Sequence, residues 1–347
     1  MQLCQLLRAA LLFQKNVADW KMEEFLHGEM KEAYDDPSSL RVPDEPRLPK
    51  GKFCGSMKEF TSFAQRADEA NGVELFGEYE LEKDADGEVI FAGFFALWKS
   101  ETRDRTITSR LAHNRRERPL GVSALLLALG VLLAEIVLQP HEKLRLSGSD
   151  LPDTYHHALV SAKRAKMYAV GRRISTKAFV KGPAFQRMIA RRKAAGLVPE
   201  VPNRVRVAWR TLAMGDLNAV CFMTTAHLNL LRRHGATRDV ARYRAPLPRG
   251  PVIEGVIVDD YDVACVVPKT LQAEEPAEDT EALSRALSAY AAVGLTPEAK
   301  KTFSGKANAD FWDATTQGEV GRVRAHREVI IFTMTLVAAL RCCGSAK

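Results

Sequence analysis

The chain has 347 residues, of which 46% are hydrophobic, and this is enough for one large or two moderate domains with a buried core. Lysine and arginine number 50 and aspartate and glutamate 43, which gives a net charge of +7. The composition excludes a chain too polar to fold, and so small an excess makes the distribution of charge more informative than its total.

The charge is unevenly distributed. Acidic residues are frequent among the first ninety residues, whereas the stretch from Lys163 to Arg210 carries many lysines and arginines and a single acid, Glu200. A local basic face of this kind suits a polyanion such as a nucleic-acid backbone.

The cysteines show no pair at zinc-ligand spacing, and a chain of this size needs no disulfide framework. We therefore expect reduced thiols, no disulfide partner and an intracellular protein, cytoplasmic or nuclear. The six cysteines are Cys4, Cys54, Cys221, Cys265, Cys342 and Cys343.

The first fifty residues are predicted to form an amphipathic helix and a linker rich in proline and aspartate, with a domain boundary near Lys50. Arg8 is the only early positive charge and lies inside the apolar stretch, so the segment is a poor secretory signal. Residues 73 to 98 are predicted to be strands, because DADGE is a hairpin turn signal between two partly alternating runs.

The segment from Gly121 to Leu138 is apolar apart from Ser123 and Glu135. Since about 20 residues are needed to cross a bilayer, a membrane span is one interpretation. We favour a buried helix and expect no membrane partner, because no second span or targeting signal accompanies the segment.

An ordered series of elements begins near residue 144. The sequence predicts a strand at 144–150, a helix at 218–231 capped by Gly235, two strands at 252–267, a helix at 278–293 and an extended segment from Lys300. This series fits a split β-α-β arrangement. The predicted fold class is α+β, with an antiparallel sheet backed by helices on one face.

Asp259 and Asp260 stand at the tip of the predicted hairpin, where a solvated turn is the ordinary explanation of two acids. The strand ending at Asp150 changes this interpretation, since carboxylates at the same end and face of neighbouring strands lie about 5 Å apart. Such a cluster suits two Mg²⁺ ions, with Mn²⁺ as an alternative, which activate a primer 3′-hydroxyl and stabilise leaving pyrophosphate. Because adjacent strand residues face opposite ways, we expect Asp150 and Asp259 to be the bridging pair and Asp260 an outer ligand.

Four segments, in this order, resemble the palm motifs of retrotransposon and retroviral reverse transcriptases. DLPDTYHH resembles the first motif, LAMGDLNAVCF the second, VIVDDYDV the Tyr-X-Asp-Asp hairpin and GLTPEAKKTF the fourth. Upstream, FALWKSETRDRTITSRLAHN resembles strands of the fingers. The likeness spans residues 91 to 320 and implies a right-hand polymerase with fingers and palm.

The resemblance also implies roles for single residues. Asp150, Asp259 and Asp260 would be metal ligands, and either Lys300 or Lys301, which the sequence does not separate, would protonate or neutralise pyrophosphate. The implied contacts of the incoming nucleotide are Lys99 and Arg105 for the triphosphate, Tyr155 as a steric gate against a 2′-hydroxyl, Met214 for the nascent base pair and Gly215 for close backbone approach.

The implied function is that of an RNA-directed DNA polymerase acting on an RNA or DNA template-primer and deoxynucleoside triphosphates. Two alternatives stay open: a catalytically inactive remnant that still binds nucleic acid, and a membrane-associated protein unrelated to polymerases. The implied domains are an N-terminal helix and linker at 1–50, fingers at 51–145, a palm at 146–320 with a basic insertion at 156–206, and a C-terminal helix or truncated thumb at 321–347.

Overall fold

The computed structural model describes residues 19–43, 49–53, 55–98, 101, 104–121, 127–196 and 201–325. The predicted N-terminal helix before residue 19, Lys99, and the C-terminal segment from residue 326 lie outside the described residues. The described chain is a mixture of helices and antiparallel sheets, which confirms the mixed character of the predicted fold class.

The described residues contain twelve strands and eight α-helices. The strands are β1 Val73–Phe76, β2 Gly93–Trp98, β3 Asp104–Ser109, β4 Glu142–Asp150, β5 Ala169–Ser175, β6 Arg204–Trp209, β7 Val252–Ile257, β8 Asp260–Pro268, β9 Phe303–Lys306, β10 Asn308–Phe311, β11 Ala314–Gln317 and β12 Arg322–Ala325. The helices are α1 Gly28–Asp35, α2 Met57–Glu69, α3 Leu111–Asn114, α4 Thr154–His157, α5 Ala162–Lys166, α6 Pro183–Ala194, α7 Ala219–Arg233 and α8 Glu278–Ala292.

The internal contacts of the chain divide it into two compact units. Unit 1 comprises Met1–Gly121 and Asp153–Ala226, and unit 2 comprises Val122–Pro152 and His227–Lys347. The domain limits implied by the resemblance stay a prediction.

Unit 1 contains a three-stranded antiparallel sheet in the order β1-β6-β5, together with the separate hairpin of β2 and β3. Helix α2 begins with a capping box at Ser56, which satisfies free N–H groups of its first turn. Its buried residues Phe60 and Phe63 pack with Phe94 of β2, and Phe63 also packs with Trp209 of β6. These contacts join the helix, the hairpin and the sheet. Large buried rings contribute much of the stability of a core, so the aromatic cluster is a main support of unit 1.

Much of the basic stretch is neutralised inside unit 1. Six of its side chains pair with acids from the first ninety residues, and the pairs are Lys163–Asp36, Arg173–Glu78, Arg187–Glu74, Arg191–Glu74, Arg191–Glu80, Arg206–Glu78 and Arg210–Glu74. The basic face predicted from the sequence is therefore smaller than its count of charges suggests, because a sequence does not show which charges pair.

Unit 2 is built on a four-stranded antiparallel sheet in the order β7-β8-β4-β9. Helix α8 packs against β4, β8 and β9, and a meander of β10, β11 and β12 forms a second sheet. The series of elements predicted from residue 144 onward is confirmed. Gly235 and Gly294 follow the two long helices with positive φ, as expected of glycines that end helices.

The hairpin predicted between residues 73 and 98 is wrong in its pairing. β1 pairs with β6 and β2 with β3, while DADGE closes a local turn with one bridge between Lys83 and Val89. Asp84 organises this turn, since its carboxylate accepts the N–H groups of Asp86 at 3.1 Å and Glu88 at 2.9 Å. The turn signal is correct, but alternation in the flanking runs does not specify the partner of a strand.

The long helix predicted at Gly121–Leu138 is also wrong for the described residues 127–138, which contain a 3₁₀ turn at Gly130–Glu135. The Gly130 N–H donates to the Trp312 carbonyl at 2.9 Å, and a side chain at Gly130 would overlap Ala314. Close packing against the β10–β11 turn thus overrides helical propensity. No helix in the described part of the chain is long and apolar enough to cross a membrane.

Candidate metal centre

Two neighbouring strands of unit 2 carry acids at the same end. β4 ends at Asp150 and lies antiparallel to β8, so that Asp150 stands directly opposite Asp260 in the register. Side chains opposite each other in an antiparallel pair point to the same face. Asp150, Asp259 and Asp260 each place one carboxylate oxygen within 4.8 Å of the others. The structure thus brings three of the predicted site residues into one cluster.

Asp259 reaches this cluster because it lies in the turn between β7 and β8 and not in a strand. Val258, the other turn residue, has a φ of +57°, which a β-branched side chain rarely adopts. The Leu151 N–H donates to the Asp259 carbonyl at 3.1 Å and ties the turn to the end of β4. Strand alternation, on which the predicted distinction between Asp259 and Asp260 rested, does not apply to a turn residue.

A buried pair of side chains supports the strained turn. His227 of α7 contacts the Val258 carbonyl through Nδ1 at 3.0 Å and the Tyr290 hydroxyl of α8 through Nε2 at 2.8 Å. Because a carbonyl only accepts, Nδ1 carries the proton and Nε2 accepts from Tyr290. Burial lowers the pKa of His227 to about 4 and raises the pKa of Tyr290, so both groups are neutral at physiological pH. Through this pair of side chains, helices α7 and α8 anchor the turn that carries Asp259.

The cluster holds more negative charge than its neighbours offset. Burial raises the pKa of Asp260 to about 7, and the charges of Asp259 and Asp150 act in the same direction. Asp262 lies two residues further along β8, and burial together with the charges of Asp260 and Asp150 raises its pKa well above the usual value. Like charges at short range disfavour ionisation, so protonation of Asp260 relieves the repulsion when no further cation is bound.

One lysine joins the cluster. The Lys301 Nζ lies 2.9 Å from Asp150 Oδ1, with the Lys301 side chain 63% exposed and that of Asp150 12% exposed. The Glu298 N–H donates to the Asp150 carbonyl, and the Lys301 N–H to the Glu298 carbonyl, so a short turn places the lysine. Burial lowers the pKa of Lys301, but the hydrogen bond and charge of Asp150 outweigh it and raise the pKa. Within the described residues no such contact is found for the Lys300 side chain.

The donor set fits a hard divalent cation. Three carboxylates face a single lysine, which leaves an excess of negative charge at one edge of the sheet. Oxygen donors with open positions beside them are what Mg²⁺ and Mn²⁺ prefer in proteins. Asp150, Asp259 and Asp260 are the residues that would hold such ions.

The residues implied as nucleotide contacts lie in unit 1. Tyr155 and Met214 line one small cavity of about 20 Å³, together with Thr108 and Trp209, which is room for about one water molecule. Arg105 lies on β3 opposite Leu97, and Lys99 is outside the described residues. The structure therefore brings Tyr155 and Met214 together and describes no larger nucleotide site around them.

Gly215 is explained by packing within unit 1. A side chain at this position would overlap the Thr108 carbonyl of β3, and the Asn114 side chain donates to the Gly215 carbonyl at 2.9 Å. The close approach that a glycine permits is therefore made between the backbone at Gly215 and the β2–β3 hairpin of the same chain.

Sequence reasoning missed a buried polar network in unit 1. Asp216 Oδ2 accepts from Arg110 at 2.8 Å, Arg164 at 2.7 Å and the Tyr168 hydroxyl at 2.6 Å. Arg110 also binds Glu117 at 2.6 Å. A partial signal for Asp216 was present in the sequence, because this residue follows Gly215 in LAMGDLNAVCF, the segment that resembles the second palm motif. The partners carry no local pattern that distinguishes them from surface charges.

No family model matches the sequence, and no curated protein matches it. Similar solved structures include a foamy viral protease-reverse transcriptase in complex with double-stranded DNA, at 13% identity and a TM-score of 0.49, covering 87% of this chain and 45% of that one. The prototype foamy virus protease-reverse transcriptase is similar at 14% identity and a TM-score of 0.46, covering 83% of this chain and 29% of that one. The chain thus spans less than half of the length of these structures.

Proposed function

We propose that this chain is the fingers and palm of an RNA-directed DNA polymerase, which adds deoxynucleotides to a primer by phosphoryl transfer. The observation that carries the proposal is the meeting of Asp150, Asp259 and Asp260, whose oxygens lie within 4.8 Å of one another. The order of the four motif-like segments in the sequence supports it.

In this proposal the three carboxylates hold two Mg²⁺ or Mn²⁺ ions where β4 ends and β8 begins. Ions bound there would supply Lewis-acid activation of the primer hydroxyl and charge stabilisation of the leaving pyrophosphate. Lys301 is the residue we assign to pyrophosphate, because its amine reaches Asp150 whereas that of Lys300 has no described contact with the cluster. Lys301, whose pKa is raised beside Asp150, would carry the proton for the leaving group.

The nucleotide is proposed to contact unit 1 residues. Lys99 and Arg105 pair with the triphosphate, and Tyr155 excludes a 2′-hydroxyl by its ring. Met214 contacts the nascent base pair, and Gly215 sets the path of the backbone beside it. Support for a common site comes from Tyr155 and Met214, which line one cavity. The proposed domains are fingers at 51–145 and a palm at 146–320.

Primer extension on an RNA template with deoxynucleoside triphosphates and Mg²⁺ or Mn²⁺ tests the proposal. We expect extension by the wild-type chain and none by the variant Asp259→Asn with Asp260→Asn. The matched control is Glu274→Gln with Glu281→Gln, which removes two exposed acids of the same unit and should extend normally. A DNA template run in parallel distinguishes the two template classes.

Two outcomes decide against the proposal in different ways. Extension that persists in the aspartate variant removes the assigned site. Absence of extension by the wild-type chain, accompanied by salt-sensitive template binding, favours the inactive remnant that retains nucleic-acid binding.

A further inference from the structure

Unit 1 contains a cleft of about 500 Å³ that plays no part in the proposed catalytic site. Four arginines and two phenylalanines line it, and these are Arg172, Arg173, Arg204, Arg206, Phe53 and Phe91. No acidic residue is among the described residues that line it. Tyr155 and Met214 line a different and much smaller cavity. The cleft has the size range of small-ligand sites, about 300–1,000 Å³.

A register shift in β5 places two adjacent arginines, Arg172 and Arg173, along this cleft. The pairing of β5 with β6 shifts register between Val170 and Ile174, and Gly171 has a φ of +66°. A glycine in the left-handed region is typical of a β-bulge, which interrupts the alternation of side chains. Arg172 and Arg173 are therefore both exposed although they are adjacent in a strand. A side chain at Gly171 would overlap Phe60, so the position is restricted to glycine.

The arginines of the cleft are only partly neutralised. Glu78 pairs with both Arg173 at 3.2 Å and Arg206 at 3.1 Å. The side chains of Arg172 and Arg204 make no salt bridge or hydrogen bond with any described residue, and both residues are exposed. One carboxylate is thus shared by two of four permanently charged groups, and two guanidinium forks stay available for an anion.

The aromatic side of the cleft is built around Arg206. Its guanidinium stacks on the Phe91 ring at 4.6 Å and donates to the Gly171 carbonyl at 2.6 Å. Its Nε is buried and has no hydrogen-bond partner among the described residues. Phe53 packs edge-on against Phe60 at 4.8 Å. Phe53 and Phe91 are both half-buried, so each ring keeps part of its surface open to the cleft.

We infer that this cleft binds a nucleotide unit, with its phosphate on Arg172 and Arg204 and its base against the phenylalanine rings. Guanidinium forks match phosphate oxygens in geometry and charge. Phenyl faces accept any base by stacking. A free nucleotide and a nucleotide within a single strand share this chemistry, and the cleft has room for one such unit.

Binding measured in EDTA tests this inference. Chelation removes the divalent ions through which the carboxylate cluster could bind a phosphate. Isothermal titration calorimetry with AMP, ribose 5-phosphate and inorganic phosphate forms one arm, and fluorescence anisotropy with a labelled single-stranded oligonucleotide forms the other. The test variant is Arg172→Gln with Arg204→Gln, which breaks no described contact. The matched control is Lys177→Gln with Lys193→Gln, two exposed lysines of the same unit outside the cleft.

We expect the arginine variant to lower affinity by on the order of 100-fold, since two charge-assisted contacts are lost and each contributes about one power of ten. AMP should bind more tightly than ribose 5-phosphate or inorganic phosphate, because only AMP carries a base. Loss of AMP binding identifies a free nucleotide as the ligand. Loss restricted to the oligonucleotide, with a salt slope lower by about 0.7 because one phosphate contact is lost, identifies a single strand.

The inference is overturned if the arginine variant binds both AMP and the oligonucleotide as the lysine control does. It is also overturned if neither ligand binds the wild-type chain. Neither result depends on primer extension, so failure of this site and failure of the proposed polymerase activity are distinguishable.

Discussion

Two clusters of charged side chains in this protein are built in contrasting ways. In unit 1, Arg110, Arg164, Glu117 and Asp216 have side chains that are at most 2% exposed, and their two positive and two negative charges balance. In unit 2, three carboxylates face one lysine whose side chain is 63% exposed.

The difference in charge balance distinguishes a cluster that supports the fold from a cluster that is suited to bind a ligand. A buried group of ions is tolerated when its charges pair, so the balanced cluster needs no further ion. The unbalanced cluster keeps one carboxyl group near its titration point, and a divalent cation would relieve the repulsion. Excess charge, and not the number of acids, therefore marks the candidate metal centre.

The largest expected effect is on the balanced cluster. Asp216→Asn should lower the free energy of unfolding by about 3–5 kcal/mol, because Arg110 and Arg164 lose their shared partner while buried. Urea denaturation measures the change. Asp86→Asn, at an exposed acid of the same unit, is the control and should change stability by less than about 0.5 kcal/mol. An equally small change for Asp216→Asn would refute the contrast.

Binding of a divalent ion to the unbalanced cluster should stabilise the folded protein. Mn²⁺ at a hundredfold excess over its dissociation constant is expected to raise the free energy of unfolding by about 2.7 kcal/mol, and EDTA should reverse the gain. Asp150→Asn should abolish this response, whereas Glu281→Gln should keep it. Thermal unfolding with and without Mn²⁺ provides the measurement, and an equal response of both variants would place the ion elsewhere.

Removal of one acid should stabilise the chain at neutral pH in the absence of metal. The pKa of Asp260 is raised in the folded state from the ordinary 3.8 to about 7. The folded state therefore binds the proton more tightly than the unfolded one, and this contribution to stability is lost as pH rises from about 4 to about 7.

Asp260→Asn should accordingly gain on the order of 2 kcal/mol over the wild type at pH 8 and nothing at pH 4. Unfolding free energies measured in EDTA across this range test the sign. A difference between variant and wild type that does not change with pH would contradict the raised pKa.

The smallest expected effect concerns the support of the turn. Tyr290→Phe removes the donor to His227 and should lower the free energy of unfolding by about 1 kcal/mol. It should also weaken Mn²⁺ binding, because the turn that presents Asp259 loses part of its anchor. Ser288→Ala on the exposed side of α8 is the control. Calorimetric titration with Mn²⁺ separates the two effects, and unchanged affinity would limit Tyr290 to packing.

The elements of unit 2 could be predicted because their signals are local. The glycines that end α7 and α8, the apolar runs of β7 and β8 and the acid that ends β4 are all visible in short windows. Convergence of Asp150 with one of the two hairpin acids then requires only that β4 lie beside the hairpin, an arrangement that fits the split β-α-β order.

Features that depend on tertiary packing could not be predicted. His227 and Tyr290 resemble ordinary core residues of their helices, and their contact exists only after α7 and α8 dock. Arg110 and Asp216 are far apart in sequence and acquire a role by burial. The 3₁₀ turn at Gly130–Glu135 forms because Gly130 packs against Ala314, although its own composition favours a helix.

Each unit is assembled from two separate stretches of chain, so the polypeptide crosses from one unit to the other three times. β1 therefore gains its neighbour β6 only after the ribosome has passed residue 209. Any single truncation point between residues 121 and 227 leaves at least one unit without part of its chain. Dissection into independently folding fragments must consequently rejoin distant segments, by circular permutation or by co-expression of the missing piece.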